Sequence, residues 1–406
     1  MKSKIFAFAL FVCTAAMVVF YPAYQSIGAN TQPLQDPVLH GIRSIDSLTN
    51  EQPRIEVVFV LDTTGSMGGL IQAAKEKIWS IATTMSSAQP TPEIRMGLVA
   101  YRDRGDAYVT KRVDLSEDLD SMYAALVDFA AAGGGDGPES VNQALYDAVH
   151  HMSWSQDSDT YKVVFLVGDA PPHMDYQDDV KYPDTIAVAL KKGILVNAIQ
   201  CGQDDQTSRQ WQQIAQLGNG SYFPVEQTGS AVAISSPFDD KLAELSEKLD
   251  DTRLYYGSRE EQKMKQRKLD AADKLHAVAS IESRARRAAF NASPSGKGNL
   301  LGESELIDDV VSGRVELSAI ESDRLPQSMQ AMAPEEQQVL IKETAGRRSE
   351  LQRQIRELSE QRAAFLRKKV EEVGGAEESL DHKIYAAVRE QAEEKGFHYE
   401  SDAPTY

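Results

Sequence analysis

Short apolar runs alternate with amphipathic stretches from residue 53 to about residue 256, and this alternation is the strongest constraint on the fold. Strands are predicted over the apolar runs and over one edge segment: 55–61, 94–101, 107–113, 161–167, 194–200 and 221–225. Helices are predicted over the segments between these strands in which apolar residues have helical spacing: 70–85, 119–131, 141–152, 185–192 and 209–217. Alternating strands and helices predict helices packed on a mostly parallel sheet.

The pattern changes beyond residue 239, where strands stop and charged residues, glutamine and alanine dominate. One apolar stripe in this part follows steps of four, three and seven residues: Leu351, Ile355, Leu358 and Phe365. The stripe is compatible with a helical hairpin within one chain or with a coiled coil. We therefore expect an α-helical region over 257–406, partly coiled-coil-like, that adds few core contacts to a sheet domain over 53–256.

Two local features of the helical segments carry further expectations. Leu242, Leu245, Leu249 and Leu254 are spaced as a last helix that covers the sheet. The basic cluster of Arg284, Arg286 and Arg287 is expected to lie on a solvated helix face.

The first 29 residues have the features of an export signal. Lys2 and Lys4 precede an apolar run over residues 5–20, which is shorter than the roughly 20 residues of a typical membrane span. A cleaved signal peptide and an uncleaved N-terminal anchor both remain open, followed by a linker over 30–52. We expect an exported protein, periplasmic or extracellular. After cleavage Cys201 would be its one cysteine, so no internal disulfide is expected.

The net charge of the chain limits the kinds of molecule that it is expected to bind. The 406 residues carry a net charge of −18, and nucleic-acid phosphates would be repelled unless a basic face were present. A nucleic-acid partner is therefore not expected. An acidic chain suits solubility and cation sites, and membrane contact is expected only through the N-terminal segment if it is uncleaved.

The loop after the first strand carries hard oxygen ligands. Asp62, Thr64 and Ser66 alternate there, so one extended turn can aim a carboxylate and two hydroxyls at a single point. Such oxygens suit Mg²⁺, Mn²⁺ or Ca²⁺. The alternative is a helix N-cap, because Thr and Ser at a helix start accept backbone hydrogen bonds.

Two later acidic loops also follow predicted elements of the sheet domain. The glycine-rich loop 133–139 offers Asp136 and Glu139, and the loop after the strand 161–167 offers Asp169 and His173. In an open parallel sheet the loops at the carboxyl ends of strands converge on a common crevice. Three acidic loops in this order therefore predict one site, with His173 either lining the crevice or forming an ordinary hydrogen bond.

Residues 53 to about 254 resemble a von Willebrand factor A (VWA) domain. The metal-ion-dependent adhesion site (MIDAS) of that family is written as an Asp-x-Ser-x-Ser loop, a later Thr and a later Asp. Asp62, Thr64 and Ser66 match the first part, with Thr for the first Ser, and Asp169 matches the last. The loop at the position of the family Thr has the sequence GGGDGPES. Asp136 or Glu139 can replace the Thr there, as in the exported bacterial VWA proteins that this sequence most resembles.

The resemblance implies a doubly wound, mostly parallel sheet with an antiparallel edge strand. It also implies a divalent cation, with Mg²⁺ expected first and Mn²⁺ or Ca²⁺ as alternatives. The ligands would be Asp62, Thr64, Ser66, Asp136 and Asp169, with Glu139 and His173 as further candidates. We expect Asp136 to lie nearer the cation than Glu139, whose carboxylate is expected to cap the next helix.

In the family, a carboxylate of a partner protein fills the open position on the cation. The expected function is therefore noncatalytic, cation-dependent protein binding in adhesion or assembly at the cell envelope. The alternative is a Mg²⁺-dependent phosphatase of the haloacid dehalogenase type, in which Asp62 would be the nucleophile and the Gly168-Asp169 loop would hold Mg²⁺.

Overall fold

A six-stranded sheet lies at the centre of the computed structural model, which describes residues 52–135, 137–226, 234–373 and 380–400. The strands in chain order are β1 (Arg54–Asp62), β2 (Glu93–Tyr101), β3 (Thr110–Ser116), β4 (Tyr161–Gly168), β5 (Ile194–Cys201) and β6 (Tyr222–Val225). Their order across the sheet is β3-β2-β1-β4-β5-β6, and β3 pairs antiparallel with β2 while the other neighbours are parallel. The predicted fold class is confirmed. The expected signal or anchor, the linker and Asp136 lie outside the described residues.

Helices cover both faces of the sheet. The helices between the strands are α1 (Gly68–Ser86), α2 (Leu119–Val127), α3 (Val141–His150), α4 (Tyr182–Lys191) and α5 (Asp205–Leu217). One apolar cluster joins the sheet to α1 and α2, and a second joins its other face to α3, α4 and α5. This is the doubly wound arrangement that the VWA resemblance implies.

The central strand β1 shows why the strand predictions hold. It pairs in parallel on both sides, with Val58 opposite Gly97 of β2 and Val164 of β4. Val57 belongs to one apolar cluster and Val58 to the other, because successive side chains of a strand point to opposite faces. A strand buried on both faces reads as a continuous apolar run.

Further helices follow β6. They are α6 (Asp239–Asp250), α7 (Arg259–Val278), α8 (Ile281–Asn291), α9 (Lys297–Leu301), α10 (Leu306–Val311), α11 (Pro334–Val373) and α12 (Leu380–Glu393). Among the described residues, none of the helices combines the length and apolar character needed to cross a bilayer. The predicted stripe on α11 packs within the chain, since Leu351 and Ile355 share a cluster with α6 and α8.

The expectation that the helical region adds few core contacts is wrong. Ile384 and Val388 of α12 and Phe290 of α8 are buried in the same cluster as β1, β4 and α1. A polar contact reinforces this packing, because buried Gln391 of α12 accepts from the Tyr161 hydroxyl at 2.8 Å and donates to Asn197 at 2.8 Å. Residues 52–406 accordingly form one compact unit.

Two smaller expectations about these helices also need correction. Leu242, Leu245 and Leu249 form a helix, but they pack on α8 and α11 and not on the sheet. Arg286 and Arg287 are buried and not solvated. In both cases the spacing of residues along the sequence predicts the helix. The surface that the helix packs against depends on residues far away in the chain, so it is not predicted.

Candidate functional site

Asp62 ends β1 at the carboxyl edge of the sheet and is fully buried. Its Oδ1 accepts hydrogen bonds from the Thr64 backbone N–H at 2.8 Å and from the Thr64 hydroxyl at 2.6 Å. The Thr64 and Ser66 hydroxyl oxygens lie 3.5 Å apart. The turn therefore gathers one carboxylate and two hydroxyls, the grouping expected from their alternation in the sequence.

The alternative role of Thr64 as a helix cap is not seen. Thr64 precedes a short 3-10 turn over Gly65–Met67, and its side chain makes no capping hydrogen bond. Its hydroxyl instead donates to Asp62. The lone pairs of that hydroxyl remain directed away from the carboxylate, so the oxygen can act as a further ligand.

Two residues of the β2–β3 loop tie this turn to its neighbours. The guanidinium of buried Arg102 donates to the backbone oxygens of Thr63 at 3.1 Å and Ala130 at 2.7 Å, and it stacks 4.5 Å from the centroid of the Tyr108 ring. The Tyr108 hydroxyl lies 2.7 Å from the Thr63 hydroxyl. Arg102 thus fixes the relative position of the Asp62 turn and the segment that leads into the glycine loop.

Asp106 fastens the glycine loop itself. Its Oδ2 accepts the Gly134 backbone N–H at 3.1 Å, and the Gly133 oxygen accepts the Gly65 backbone N–H at 3.1 Å. Gly133 has a φ of +79°, and a Cβ there would lie 2.2 Å from Asp106 Oδ1. Only glycine allows both this backbone conformation and the close carboxylate.

Glu139 lies at the far end of the same loop and is buried. Its backbone pairs with the loop after β4, since its N–H donates to Pro171 O at 2.9 Å and its carbonyl accepts from His173 at 3.1 Å. The expected capping role is wrong, because Ser140 is the N-cap residue of α3 and the helix has no side-chain cap. The Glu139 side chain lines the cleft instead.

Asp169 follows β4 and also lines the cleft. Its backbone carbonyl accepts the Thr207 hydroxyl at 3.3 Å. His173 is buried with its ring stacked 4.0 Å from that of Tyr176, and its Nδ1 lies 2.8 Å from Asp175 Oδ1. Of the two loop residues proposed from the sequence, Asp169 therefore faces the cleft and His173 packs behind it.

The cleft has a volume of about 460 Å³ and opens at the carboxyl edge of β1 and β4. It brings together residues of four loops: Thr64, Gly65, Ser66, Gly133, Gly134, Gly137, Pro138, Glu139, Asp169, Ala170, Pro171, Asp204, Gln206 and Thr207. The contribution of Asp204 and Thr207, at the start of α5, was not predicted from the sequence. A signal for Asp204 was present, because it lies shortly after the end of β5 as Asp169 lies after the end of β4.

Carboxyl groups crowd together beside this cleft. Burial raises the pKa of Asp62 to about 7, and the charge of Asp169 adds to the effect, while hydrogen bonds from Thr64 oppose it. Burial also raises the pKa of Glu139 to about 9, with further contributions from Asp62, Asp103, Asp106 and Asp169. The neighbouring charges that act on both carboxyl groups are negative. A bound cation would therefore reduce the repulsion between the carboxylates.

The donor set fits a hard divalent cation. Asp62 Oδ2 and Glu139 Oε2 are buried and have no hydrogen-bond partner among the described residues, which is costly for a carboxylate unless another group satisfies it. The described part of the chain holds no grouping of three or more His, Cys, Asp or Glu side chains with metal-site geometry. A cation here would therefore rely on the Thr64 and Ser66 hydroxyls as well as on carboxylates, as oxygen-seeking ions do.

Comparison with known families supports the class of domain that the fold and this cleft define. The model of the von Willebrand factor A domain family matches residues 56–236. The match confirms the VWA domain expected from the sequence, and such domains typically mediate protein–protein interaction.

The relatives match about a third of this chain. Von Willebrand factor A domain-containing protein 7 of Rattus norvegicus is 34% identical over 132 residues, which cover 32% of this chain and 14% of the rat protein. Alpha-protein kinase vwkA of Dictyostelium discoideum is 28% identical over 120 residues, covering 29% of this chain and 19% of that protein. The chain thus spans less than a fifth of the length of either relative.

A solved structure of a VWA domain also matches less than half of this chain. The SpRpn10 VWA domain is 12% identical, and the superposition covers 43% of this chain and 89% of that chain with a TM-score of 0.33.

Proposed function

We propose that this protein is a noncatalytic module that binds a partner protein through a divalent cation held in the cleft. Asp62, Thr64, Ser66 and Asp169 would hold the cation, and Glu139 would join them directly or through water. One observation carries the proposal: Asp62 and Glu139 each keep a buried carboxylate oxygen without a hydrogen-bond partner among the described residues, and Glu139 lines the same cleft as Thr64 and Ser66. Mg²⁺ is the expected ion, with Mn²⁺ and Ca²⁺ as alternatives.

The charge of the chain indicates what the cation would do. At a net charge of −18 the protein repels acidic partners in general. A dication at the cleft would reverse the sign of the potential at that one place and would attract a Glu or Asp carboxylate of the partner. The cation would therefore decide whether an acidic segment binds.

Asp136 belongs to this proposal as a further ligand, and its place relative to Glu139 stays a prediction. The export signal also stays a prediction, and with it a role in the periplasm or outside the cell. Fractionation of cells that express the full chain, with and without Lys2→Glu/Lys4→Glu, tests the location. Recovery of both forms in the cytoplasmic fraction would contradict it.

Titration of Mg²⁺ and Mn²⁺ into the metal-free full chain tests the cation site. Calorimetry should show binding, and the unfolding temperature should rise with cation, since a ligand at 100 times its Kd stabilises the folded state by about 2.7 kcal/mol. Asp62→Asn should abolish both effects while leaving the unfolding temperature in chelator unchanged or higher, because it removes an unpaired buried charge.

The matched control is Asp273→Asn, which alters an exposed acid on α7 and should behave as the unaltered protein. Equal cation affinity in the two variants would refute the site. The phosphatase alternative has no support in the comparisons, and one assay separates it. Turnover of a chromogenic phosphate ester with Mg²⁺, abolished by Asp62→Asn, would establish an enzyme in place of a binding module.

A further inference from the structure

A second cleft lies at the opposite edge of the sheet from the candidate cation site. Lys162 is near the start of β4, whereas Asp169 follows the end of the same strand. Lys191 ends α4, Lys192 follows it, and Lys395 lies beyond α12. Four lysines from three parts of the chain therefore line one cleft at the amino ends of the central strands.

The basic cleft, as we name it, has a volume of about 600 Å³. Its lining combines the four lysines with hydroxyls, an amide and a tryptophan: His150, Met152, Ser153, Trp154, Ser155, Gln156, Ser158, Thr160, Lys162, Leu190, Lys191, Lys192, Gly193 and Lys395. No Asp or Glu is among these lining residues, although the chain as a whole is strongly acidic. The volume is in the range of small-molecule sites.

A cavity of similar size elsewhere gives a useful contrast. It measures about 500 Å³ and contains Lys297 and Arg314 together with the acids Glu93, Glu117 and Asp308. Lys297 Nζ lies 3.0 Å from Asp308, and Arg314 also pairs with Asp308. Its positive charges are neutralised within the protein, so it offers no attraction to an anion.

Main-chain oxygens hold the amines of the basic cleft. Lys162 Nζ donates to Lys192 O at 3.3 Å, Lys192 Nζ to Val149 O at 2.7 Å, and Lys395 Nζ to Ser158 O at 2.7 Å. Each ammonium group has three donors, so one such bond fixes its position and leaves others for a ligand. A carbonyl oxygen carries no formal charge, and the positive charge remains.

Nearby acids only partly offset these lysines. Burial lowers the pKa of Lys162, the charge of Lys395 lowers it further, and Glu56 and Asp157 oppose the shift. Glu56 is already engaged, since its Oε1 accepts from Arg95 at 2.6 Å and its Oε2 from the Ser155 N–H at 2.8 Å. Asp157 then acts against four lysines, so the surroundings of the cleft keep an excess of positive charge.

The simpler interpretation is that these lysines only complement helix ends. Lys191 and Lys192 lie at the carboxyl end of α4, where positive charge is favourable. That account explains their position but not why Lys162 and Lys395, from other parts of the chain, line the same cleft with no acid among the lining residues. A ligand with several negative charges would use all four lysines.

We propose that the basic cleft binds a multiply charged phosphate compound, either free in solution or as the headgroup of a lipid. Lysine binds phosphate as a point charge, and the Ser155 hydroxyl, which accepts from Thr160 at 3.3 Å, can donate its own hydrogen to a phosphate oxygen. The site is independent of the proposed cation site, from which it is separated by the length of β4, about 25 Å for eight residues.

Tripolyphosphate is the probe for the free ligand, titrated calorimetrically into the full chain in the presence of chelator. We expect saturable binding that weakens with salt, because exposed charges are screened. Lys191→Ala/Lys395→Ala should weaken binding at least tenfold. Both side chains are exposed, so the folded state should survive the change.

Two control variants make the result decisive. The control Lys241→Ala/Lys263→Ala removes two exposed lysines elsewhere and should bind as the unaltered protein does. Asp62→Asn should also keep tripolyphosphate binding, which separates this proposal from the cation site. No binding at millimolar tripolyphosphate and none to the vesicles below, or equal affinity in the two lysine variants, would overturn the proposal.

Vesicles distinguish the source of the phosphate. Co-sedimentation with phosphatidylcholine vesicles that contain phosphatidic acid, but not with phosphatidylcholine alone, would assign a lipid headgroup. Binding of tripolyphosphate without co-sedimentation would assign a soluble compound. In either case the lysine variant should lose the interaction and the control should keep it.

Discussion

The guanidinium of Arg287 holds the carboxylate of Asp120 in a fully buried ion pair, with Nε to Oδ1 at 2.6 Å and Nη2 to Oδ2 at 2.5 Å. Arg287 Nη1 also lies 2.8 Å from Asp250 Oδ2 and donates to the Ser246 hydroxyl at 2.9 Å. These residues belong to α2, α6 and α8. One side chain therefore connects a helix that lies between strands of the sheet with two helices that follow β6.

Arg287→Met should destabilise the protein strongly. The change leaves Asp120 and Asp250 buried without their shared counter-charge, and breaking a buried ion pair in this way costs about 3–5 kcal/mol. Urea denaturation measures the loss. Arg353→Met is the matched control, because Arg353 forms exposed pairs with Glu350 and Glu357 on α11 and should change the midpoint little. Similar midpoints in the two variants would show that the buried pair contributes little.

The same pair predicts sensitivity to acid. Burial alone would raise the pKa of Asp120 and Asp250, but the charge and hydrogen bonds of Arg287, together with the other cations beside them, outweigh it and hold both below their usual range. The folded-state pKa is lower than the unfolded one, so the stabilisation is present above about pH 4 and is lost as the pH falls further. Lys268, Arg253 and His276 also face these carboxylates.

Urea midpoints measured from pH 7 down to pH 3 check this prediction. The midpoint of the unaltered protein should fall steeply below about pH 4. In Arg287→Met it should start lower and fall less, because the two acids then lose the largest of the interactions that lower their pKa. Parallel curves for the two proteins would contradict the assignment.

Removal of the helical region should disrupt the VWA domain. A chain ending at Tyr256 lacks Phe290, Ile384 and Val388, which are buried against the sheet, and the apolar surface they cover would be exposed. We expect that truncated chain to be insoluble or to lose its cooperative thermal transition. A soluble truncated chain with the cation response of the full chain would show that these contacts are dispensable.

A point substitution tests the packing of α12 on the sheet with less disruption of the fold. Ile384→Ala should cost about 2–5 kcal/mol, as for other buried apolar truncations. Val339→Ala on α11 is the control, since Val339 is 54% exposed whereas Ile384 is 3% exposed. Urea denaturation of the full chain compares them, and equal midpoints would count against a shared core.

Asp106→Ala should weaken cation binding without unfolding the protein. It removes the acceptor of the Gly134 N–H, so the glycine loop loses its attachment beside the cleft. Partners that orient metal ligands are typically worth 10–100-fold in affinity. Arg104→Ala, in the same turn, is the control because Arg104 pairs with Asp178 and Asp179 away from the glycine loop. Calorimetric titration of Mn²⁺ should separate the two variants, and equal affinities would assign Asp106 a purely local role.

The sequence predicted the strands well because their signal is local. Residues 55–61 were expected as a strand and β1 spans Arg54–Asp62, since burial on both faces leaves an apolar run that needs no knowledge of the partner strands. The convergence of Asp62, Thr64, Ser66, Glu139 and Asp169 beside one cleft followed from topology. Parallel strands bring their carboxyl ends to the same edge.

Contacts between distant segments could not be predicted in this way. The charge of Arg287 is typical of a solvated helix face, and its partner Asp120 lies 167 residues earlier. Helical spacing places Ile384 on an apolar face, but it does not identify the sheet as the surface that this face covers. The supporting roles of Arg102 and Asp106 were not predicted for a related reason. The contacts of an arginine or aspartate after a strand depend on neighbouring loops, and those loops come from other parts of the chain.

The packing of α12 on the sheet sets an order of events during synthesis. The hydrogen bond between Tyr161 and Gln391 joins residues 230 positions apart, and at about 5–20 residues per second a ribosome needs roughly 10–50 s to cover that distance. For that interval the strands would carry an open apolar face. A chaperone could therefore bind the nascent chain throughout this interval, which ends only when α12 has been synthesised.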